Sequence, residues 1–354
     1  MAGVSTYRKV IATTLSTDFR KACQIVTASI PKLKENEVLV KAKYAGINAT
    51  DINLSAGRYM KPGDSLPLAM GGEGVGEVVD VGSAIPAAMK GTAVGYMYTG
   101  SYGEYLRMPA KVCLPLPAAD PKYIPLMVSG LTAAISLDQL GRMKKGETVF
   151  VSAAAGGTGH LAVQLAKQAG CHVIGTCSTK DKEDFLKSIG CDHVINYKEQ
   201  NLREVLKASY PKGIDVVYES IGGNVFDACL SSLAVKGRMI VIGYIETYHS
   251  PSGLSRSNRN ATLITKLLMK STSVCGFYLM NHASDFKHYI PKLVNMLDSG
   301  ALQVHIEQAD DKGKKFSGLE SVYDAIDYLY SRNSKGKIIL EIENNDDGTV
   351  QSKL

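Results

Sequence analysis

Apolar positions follow two patterns along the chain, and the change between them falls near residue 126. Before that point, short alternating runs are separated by glycine and proline, most clearly at residues 37–44, 77–82 and 93–97. Alternation with a period of two is typical of strands that bury one face. This part of the chain therefore predicts a small, irregular, mostly β domain that resembles a barrel.

The chain after residue 126 alternates between strand and helix patterns. A helical run over residues 128–140 precedes six strand candidates, at residues 149–152, 173–176, 193–195, 216–219, 239–242 and 273–278. Strands joined by helical crossovers form a parallel sheet with helices on both faces. The expected fold class is therefore α/β, with a doubly wound parallel sheet beside the smaller β domain.

The C-terminal part returns to shorter elements. Residues 286–297 and 319–330 fit helices, and residues 336–342 fit a strand. Because one strand is not stable by itself, we expect it to rejoin the first domain. The predicted boundaries are residues 1–125 and 283–354 for a discontinuous catalytic domain, and residues 126–282 for the second domain.

A turn of small residues links the first strand of the parallel sheet to a helix. It reads Ala-Ala-Ala-Gly-Gly-Thr-Gly over residues 153–159, with Ala154 where a dinucleotide fingerprint has its first glycine. Gly156 lets the backbone approach a pyrophosphate, and Gly159 lets the helix pack close to the strand. The free N–H groups and partial positive charge of the helix N-terminus favour phosphate. The segment therefore predicts nucleotide binding.

The end of the second strand indicates which dinucleotide is bound. NAD sites carry Asp or Glu about 20 residues beyond the glycines, where it accepts hydrogen bonds from the ribose 2′-hydroxyl. Cys177 and Ser178 stand there instead, and Ser178 with Lys182 suits a 2′-phosphate. Asp181 argues the other way, although it falls in the next predicted helix. The sequence predicts NADPH; the alternative is that Lys182 and Lys198 are solvated surface charges.

Composition narrows the class of protein without identifying it. The 354 residues are 45% hydrophobic and 21% charged with a formal net charge of +6, which is ordinary for a globular protein and shows no nucleic-acid-binding stripe. No apolar run approaches the ~20 residues of a membrane span, and residues 1–10 lack a signal-peptide core. The seven cysteines include no C-x-x-C pair, which argues against a disulfide framework and a clustered zinc site.

The tripeptide Ser352-Lys353-Leu354 matches the S-K-L signal that the peroxisomal import receptor reads. A polar stretch at residues 344–351 precedes it, as a receptor-read tail requires. We therefore expect a peroxisomal location and the import receptor as a partner.

Five motifs together resemble one enzyme family. They are GINATDIN at 46–53, GGEGVGEV at 71–78, VSGLTAA at 128–134, AAAGGTG at 153–159 and NSKGKII at 333–339. The family is the zinc-independent medium-chain dehydrogenase/reductases of the quinone oxidoreductase and prostaglandin reductase type. The resemblance spans nearly all of residues 7–354 and implies a Rossmann sheet with a GroES-like barrel. It also implies a homodimer, formed by pairing sheet edges near residues 273–278.

The resemblance bears on metal binding, because two zinc ligands of the related alcohol dehydrogenases are replaced. Asn48 stands where those enzymes have a cysteine, and Gly72 stands where they have a histidine. Zinc needs three or four N, S or O ligands in a tetrahedron, and these two positions supply none of the expected ones. The sequence therefore predicts no metal, which argues against alcohol oxidation by a Lewis acid.

The resemblance also assigns residues to the coenzyme. Tyr197 is expected to reach the 2′-phosphate, and Asn333 to close over the coenzyme. For Phe277 and Leu279, core packing is compatible with backbone contact to the nicotinamide amide. The full expected set is Asn48, Thr132, Ala155, Gly156, Gly157, Thr158, Ser178, Lys182, Tyr197, Lys198, Ser220, Gly243, Tyr248, Phe277, Tyr278, Leu279 and Asn333.

The implied activity is NADPH-dependent reduction of the C=C bond of an α,β-unsaturated ketone, of the 15-oxoprostaglandin 13-reductase type. Tyr248 is the expected hydrogen-bond donor to the oxygen that gains charge, with His249 as a rival and an exposed loop aromatic as the alternative. Asn48 and Tyr59 are further catalytic candidates, although core packing explains Tyr59 equally well. Two other functions stay open: a general quinone or enal reductase, and a non-catalytic NADPH-binding protein.

Overall fold

The computed structural model describes residues 5–60, 62–250 and 263–342, and these divide into two compact units. The first unit comprises the described residues up to Ile124, together with Glu307–Ser334 and those from Ile338 onward. The second comprises Pro125–Ile306 and Lys335–Lys337. Residues 283–306 thus lie in the second unit, whereas the sequence assigned them to the first. The reason is packing: the Leu293 side chain approaches Gly130, in the helical segment that opens the second unit.

The strands within the described residues are numbered in chain order. They are β1 Thr6–Ala12, β2 Cys23–Ser29, β3 Glu37–Gly46, β4 Leu68–Ala69, β5 Gly74–Val81, β6 Ala93–Tyr96, β7 Tyr105–Pro109, β8 Leu114–Pro115, β9 Thr148–Val151, β10 His172–Cys177, β11 His193–Asn196, β12 Ile214–Glu219, β13 Leu233–Val241, β14 Ser273–Gly276, β15 Ile306–Glu307 and β16 Lys337–Glu341.

The α-helices are numbered in the same way. They are α1 Phe19–Ala22, α2 Asp51–Ser55, α3 Thr132–Ile135, α4 Gly159–Gln168, α5 Lys180–Ser188, α6 Leu202–Ser209, α7 Gly223–Ser231, α8 Leu263–Lys270, α9 Phe286–Asp298 and α10 Val322–Tyr330. The predicted helix at 319–330 becomes a short 3-10 turn, Leu319–Ser321, followed by α10.

The first unit is a curled, mostly antiparallel β structure. Strand β3 pairs with β16, β5 and β7, and the sheet continues from β5 through β6 to β8. A smaller sheet has the order β2-β1-β4. The sequence analysis does not predict β1 and β2, because most positions in both are partly exposed and their apolar alternation is weak. The β domain expected from the glycine-rich alternating pattern is confirmed.

The second unit contains a six-stranded parallel sheet with the order β11-β10-β9-β12-β13-β14. Its central strands are buried on both faces, and Phe150, Ile174, Val217 and Met239 form part of one apolar cluster. The strand order reverses between β9 and β12. Open α/β sheets bind ligands at such a switch point, beyond the carboxyl ends of the strands. The predicted doubly wound sheet is confirmed.

The helical segment Pro121–Gly141 is long and apolar enough to cross a membrane by composition alone, although the sequence analysis expected no such run. In the structure 72% of its most apolar window is buried, which is typical of a core helix. The segment is π-helical over Met127–Leu131 and Ser136–Gly141, with α3 between them.

Candidate functional site

In the glycine turn between β9 and α4, Gly156 has free space beside its Cα, whereas Gly159 is tightly enclosed by backbone atoms. A Cβ added to Gly159 would lie 2.4 Å from the carbonyl oxygen of Ala153 and 2.8 Å from Cα of Ala154, so only glycine lets α4 begin there. A Cβ on Gly156 would meet only the Ala153 oxygen, at 3.3 Å. Ala153 itself takes a left-handed φ of 45°. The space beside Gly156 is thus available to a ligand rather than filled by the protein.

A buried histidine that the sequence analysis missed holds this turn in place. His160 is fully buried, and its Nδ1 lies 2.9 Å from the carbonyl oxygen of Gly156. The His305 backbone N–H donates to Nε2 at 3.3 Å, so the ring proton sits on Nδ1 and is donated to Gly156. Burial lowers the pKa of His160 to about 4, which keeps the ring neutral near pH 7.

The segment Lys335–Lys337 lies against the same turn. The Gly336 N–H donates to the carbonyl oxygen of Ala155 at 2.8 Å. Lys337 is buried, and its Cδ lies 3.4 Å from where a Cβ of Gly157 would be. Thr158 donates from its hydroxyl to Ser129 at 3.4 Å. Backbone and side-chain contacts therefore fix the predicted phosphate-binding residues Ala155, Gly156, Gly157 and Thr158.

The residues predicted to hold a 2′-phosphate are brought together at the ends of two neighbouring strands. Ser178 follows β10 and is buried, and Lys182 lies on the first turn of α5 with only 8% exposed. Tyr197 and Lys198 follow β11, and the Tyr197 N–H donates to the carbonyl oxygen of Cys177 at 3.1 Å. Tyr197 is 38% exposed, and Lys198 is also exposed. A hydroxyl, a phenol and two cations suit a phosphate monoester.

The carboxyl ends of β12 and β13 carry a second group of predicted residues. The Ser220 N–H donates to Oγ of Ser152 at 2.8 Å, which ties β12 to β9. Tyr248 is 3% exposed rather than an exposed loop aromatic, and its hydroxyl lies 3.1 Å from where a Cβ of Gly243 would be. The Tyr244 N–H donates to that hydroxyl at 3.4 Å.

Further along the same edge, the Phe277 N–H donates to the carbonyl oxygen of Val241 at 2.9 Å. Phe277 is buried, Tyr278 is about half exposed at 49%, and Leu279 is partly buried.

The sequence analysis missed Glu219, a fully buried carboxylate that accepts hydrogen bonds from the N–H groups of Ile221 and Gly222 at 2.8 and 3.0 Å. Burial raises the pKa of Glu219.

The first unit contains a buried polar network around Asn48. The Asn48 amide donates to Oε1 of Glu73 at 2.9 Å, and its backbone N–H donates to Oδ2 of Asp51 at 2.8 Å. The Tyr102 hydroxyl donates to the same Asp51 oxygen at 2.5 Å. Glu73, Asp51 and Tyr102 are almost completely buried. Neighbouring side chains therefore fix the orientation of the Asn48 amide.

Three further predicted residues have other contacts or lie in the other unit. The Tyr59 hydroxyl accepts a hydrogen bond from the Asn53 amide at 3.2 Å. Asn333 is exposed and donates to Oδ2 of Asp311 at 3.0 Å. Thr132 opens α3 in the second unit. Their predicted contacts with the coenzyme stay predictions.

Within the described part of the chain, no group of three or more His, Cys, Asp or Glu side chains is arranged to hold a metal ion. At the position of a zinc ligand in the related alcohol dehydrogenases, the Asn48 amide is hydrogen-bonded to Glu73. The prediction that this chain binds no metal stays a prediction.

Comparison with known proteins agrees with this architecture. The family model described as an alcohol dehydrogenase GroES-like domain matches residues 34–118, and that described as zinc-binding dehydrogenase matches residues 157–295. The chain is 47% identical to prostaglandin reductase-3 of Bos taurus over 353 residues, covering 99% of this chain and 92% of that protein. It is 42% identical to a probable quinone oxidoreductase of Leishmania amazonensis, covering 97% and 100%.

Among solved structures, the quinone oxidoreductase of Escherichia coli complexed with NADPH has a TM-score of 0.81 and 27% identity, covering 94% of this chain and 99% of that one. A GroES-like domain and a Rossmann domain define a two-domain dehydrogenase/reductase. The chain belongs to the medium-chain dehydrogenase/reductase family of oxidoreductases. The branch predicted from the five sequence motifs, with quinone oxidoreductases and prostaglandin reductases, is confirmed.

Proposed function

We propose that this chain reduces the C=C bond of α,β-unsaturated ketones with NADPH. The observation that carries the proposal is in the second unit, where an open glycine turn and the residues predicted to bind a 2′-phosphate lie at the carboxyl ends of strands of a doubly wound sheet. The 47% identity to prostaglandin reductase-3 of Bos taurus supports the reaction class.

The residues present fit NADPH. The open Cβ position at Gly156 leaves room for a pyrophosphate against the N-terminus of α4. Ser178, Lys182 and Tyr197 would hold the 2′-phosphate. When bound, NADPH supplies a hydride to the β-carbon of the substrate alkene.

The chain itself must stabilise the negative charge that develops on the substrate carbonyl oxygen. A phenol donates a hydrogen bond without a fixed charge, so Tyr248 suits this task. Its hydroxyl lies beside Gly243 at the carboxyl end of β13, and an edge-to-face contact with Tyr244 at 4.9 Å between ring centroids holds its ring. The α-carbon then takes a proton from water.

The test is the oxidation of NADPH by the purified protein with a panel of enones and small quinones. We expect turnover on enones and a loss of about 10- to 100-fold in kcat for Tyr248→Phe, with little change in KM. Tyr210→Phe is the control: it removes a phenol hydroxyl that is hydrogen-bonded to His172 and His193 rather than to the proposed site, and kcat should not change. If Tyr244→Phe loses activity instead of Tyr248→Phe, the donor has been assigned to the wrong tyrosine.

The rival functions give different results in the same assay. A general quinone reductase would turn over small quinones faster than any enone. A non-catalytic NADPH-binding protein would bind NADPH but be inert on every acceptor, and Tyr248→Phe would then change nothing.

The finer substrate assignment is a 15-keto-prostaglandin or a similar long-chain enone, reduced at the 13,14 double bond. The name of the Bos taurus relative supports it. Arg256 and Arg259, the candidate partners for a substrate carboxylate, lie outside the described residues. Comparing kcat/KM for a 15-keto-prostaglandin and its methyl ester measures how much the carboxylate contributes.

We also propose a homodimer formed through the outer edge of the six-stranded sheet. Strand β14 lies at the end of the strand order, next to β13, and an edge strand can pair with a second chain. Tyr278 and Met280 follow it and are about half exposed, at 49% and 50%. Sedimentation of the wild type against Val274→Pro, which breaks strand pairing at this edge, would measure the effect.

For location, we propose import into peroxisomes through Ser352-Lys353-Leu354, which lies outside the described residues. A fluorescent protein fused to the N-terminus of the full chain should enter peroxisomes, and the same fusion lacking these three residues should not. Equal distribution of the two fusions would show that the tripeptide is not the signal.

A further inference from the structure

An ion pair joins two distant parts of the chain beside the proposed 2′-phosphate site. Lys335 Nζ lies 2.8 Å from Oδ2 of Asp181, and the lysine side chain is 24% exposed while the aspartate is 73% exposed. Asp181 stands on the first turn of α5, between Ser178 and Lys182 in the sequence. The pair therefore lies within one helical turn of two proposed ligands of the 2′-phosphate.

A carboxylate at this position has consequences for coenzyme choice. Carboxylates near the end of the second strand accept hydrogen bonds from the ribose 2′-hydroxyl of NADH. The same negative charge disfavours a phosphate at the 2′ position by like-charge repulsion. An uncompensated Asp181 would therefore oppose the NADPH preference that Ser178 and Lys182 provide.

We propose that Lys335 is a coenzyme-specificity residue, which neutralises Asp181 and so preserves the preference for NADPH over NADH. This inference rests on the proposed function, because it concerns the same coenzyme site. The proposal adds Lys335, which is far in sequence from the nucleotide-binding motif, to the residues that select the coenzyme. It also explains how a chain with an acidic residue at position 181 can prefer NADPH.

The backbone fixes the position of Lys335. The Gly336 N–H donates to the carbonyl oxygen of Ala155 at 2.8 Å, and the Lys337 N–H donates to that of His305 at 2.9 Å. Gly336 has a φ of 61°, and a Cβ there would lie 2.1 Å from the His305 oxygen, so glycine is required. These contacts hold the backbone of Lys335 beside α5, so little backbone freedom is lost in forming the ion pair.

The other acidic residues at the start of α5 have cations within the helix itself. Glu183 Oε1 lies 2.5 Å from Nζ of Lys187, and Asp184 Oδ1 lies 2.5 Å from Nζ of Lys180. Asp181 differs because its ion pair is made by a residue outside the helix. Substituting Lys335 therefore removes the cation beside Asp181 without altering the helix that carries the carboxylate, and the Asp181→Asn background tests whether that carboxylate accounts for the effect.

The experiment measures the dissociation constants of NADPH and NADH for four proteins: wild type, Lys335→Met, Asp181→Asn and the double variant. We expect Lys335→Met to weaken NADPH about fivefold and to leave NADH unchanged or slightly tighter, because an exposed ion pair contributes up to about 1 kcal/mol. In the Lys335→Met background, Asp181→Asn should restore NADPH binding to within about twofold of the wild type. High salt should reduce the difference in NADPH affinity between the wild type and Lys335→Met, because it screens the charges.

Two matched variants separate charge from structure. Lys335→Arg keeps the charge and should bind NADPH like the wild type. Lys187→Met breaks an ion pair on the same helix, away from the site, and should change neither coenzyme. Thermal unfolding of each variant shows whether the segment 335–337 still folds onto the glycine turn.

The failure of this inference is distinguishable from that of the proposed function. If the wild type prefers NADPH but Lys335→Met weakens both coenzymes equally, and Asp181→Asn does not restore binding, then Lys335 only supports the glycine turn and the inference is wrong. If the wild type binds NADH as tightly as NADPH, the coenzyme assignment itself fails, and this inference fails with it.

Discussion

His160 Nδ1 donates a hydrogen bond to the carbonyl oxygen of Gly156 at 2.9 Å, so a fully buried imidazole holds the turn predicted to bind phosphate. The His160 backbone N–H donates to the same oxygen at 3.1 Å. On its other side the ring accepts from the His305 N–H. A protonated ring could not accept that bond, so the arrangement requires a neutral histidine.

This requirement predicts acid sensitivity. The pKa of His160 is lowered from 6.5 in the unfolded chain to about 4 in the folded protein. The unfolded chain therefore binds the extra proton first, and stability present above pH 6.5 is lost as the pH falls toward 4. The expected loss is about 3 kcal/mol, from about 1.4 kcal/mol per pKa unit.

The measurement is the free energy of unfolding of the wild type and His160→Asn between pH 7 and pH 4. Asparagine places an N–H donor near the position of Nδ1 but does not titrate. The free energy of unfolding of His160→Asn should therefore depend less on pH than that of the wild type. His305 and Lys337 act electrostatically on the His160 ring, and Lys335 and Asp181 act on His305. All four residues are present in both proteins, so the difference between the two pH profiles isolates the ring of His160. If the free energy of unfolding falls equally with pH in both proteins, the acid sensitivity arises from groups other than His160.

Two alanine substitutions in the glycine turn should affect different properties: one should lower stability, and the other should weaken NADPH binding. Gly159→Ala forces a Cβ to within 2.4 Å of the Ala153 oxygen, and we expect a stability loss of about 1–3 kcal/mol. Gly156→Ala adds a methyl group at an open position, so stability should stay within about 1 kcal/mol while NADPH binding weakens about tenfold or more. Thermal unfolding and coenzyme titration of both variants give the comparison. Unchanged NADPH affinity in Gly156→Ala would place the pyrophosphate elsewhere.

The 2′-phosphate assignment predicts selective loss of one coenzyme. Lys182→Ala should weaken NADPH about 10- to 100-fold and NADH by less than about threefold, because only NADPH carries the charge that the lysine neutralises. Lys187→Ala, on the last turn of the same helix and exposed, is the control. Equal weakening of both coenzymes by Lys182→Ala would indicate a structural role for its buried stem.

The parallel sheet was predictable because its strands are buried on both faces and read as short apolar runs. The runs at 149–152 and 193–195 correspond to β9 and β11 within one residue at each end. Strands β1 and β2 could not be predicted in the same way, because their partial exposure leaves a mixed pattern. Residues 286–297 gave the correct helix, α9, but the helical period carries no information about the unit against which it packs.

The placement of Ser178 and Tyr197 at neighbouring strand ends was also predictable, because each directly follows a strand of the parallel sheet. Contacts between residues distant in sequence were not. Nothing in the sequence indicates that His160 is buried in α4, and only the fold places Gly156 and His305 around its ring. Asp181 and Lys335 likewise gave no signal of pairing, because spacing in sequence does not encode which distant charges meet.

The last prediction concerns the buried carboxylate of Asp51 in the first unit, which accepts from the Tyr102 hydroxyl and the Asn48 N–H. Tyr102→Phe removes one of these donors, and we expect a stability loss of about 1–3 kcal/mol, because a buried acceptor left without its hydrogen bond is costly. Tyr96 is an internal control, since it is equally buried but its hydroxyl has no hydrogen-bond partner within the described structure. Tyr96→Phe should therefore be neutral or stabilising by up to about 1 kcal/mol. Chemical unfolding of both variants distinguishes the two hydroxyls. Equal destabilisation would mean that the hydroxyl's packing contacts, not its bond to Asp51, decide the result.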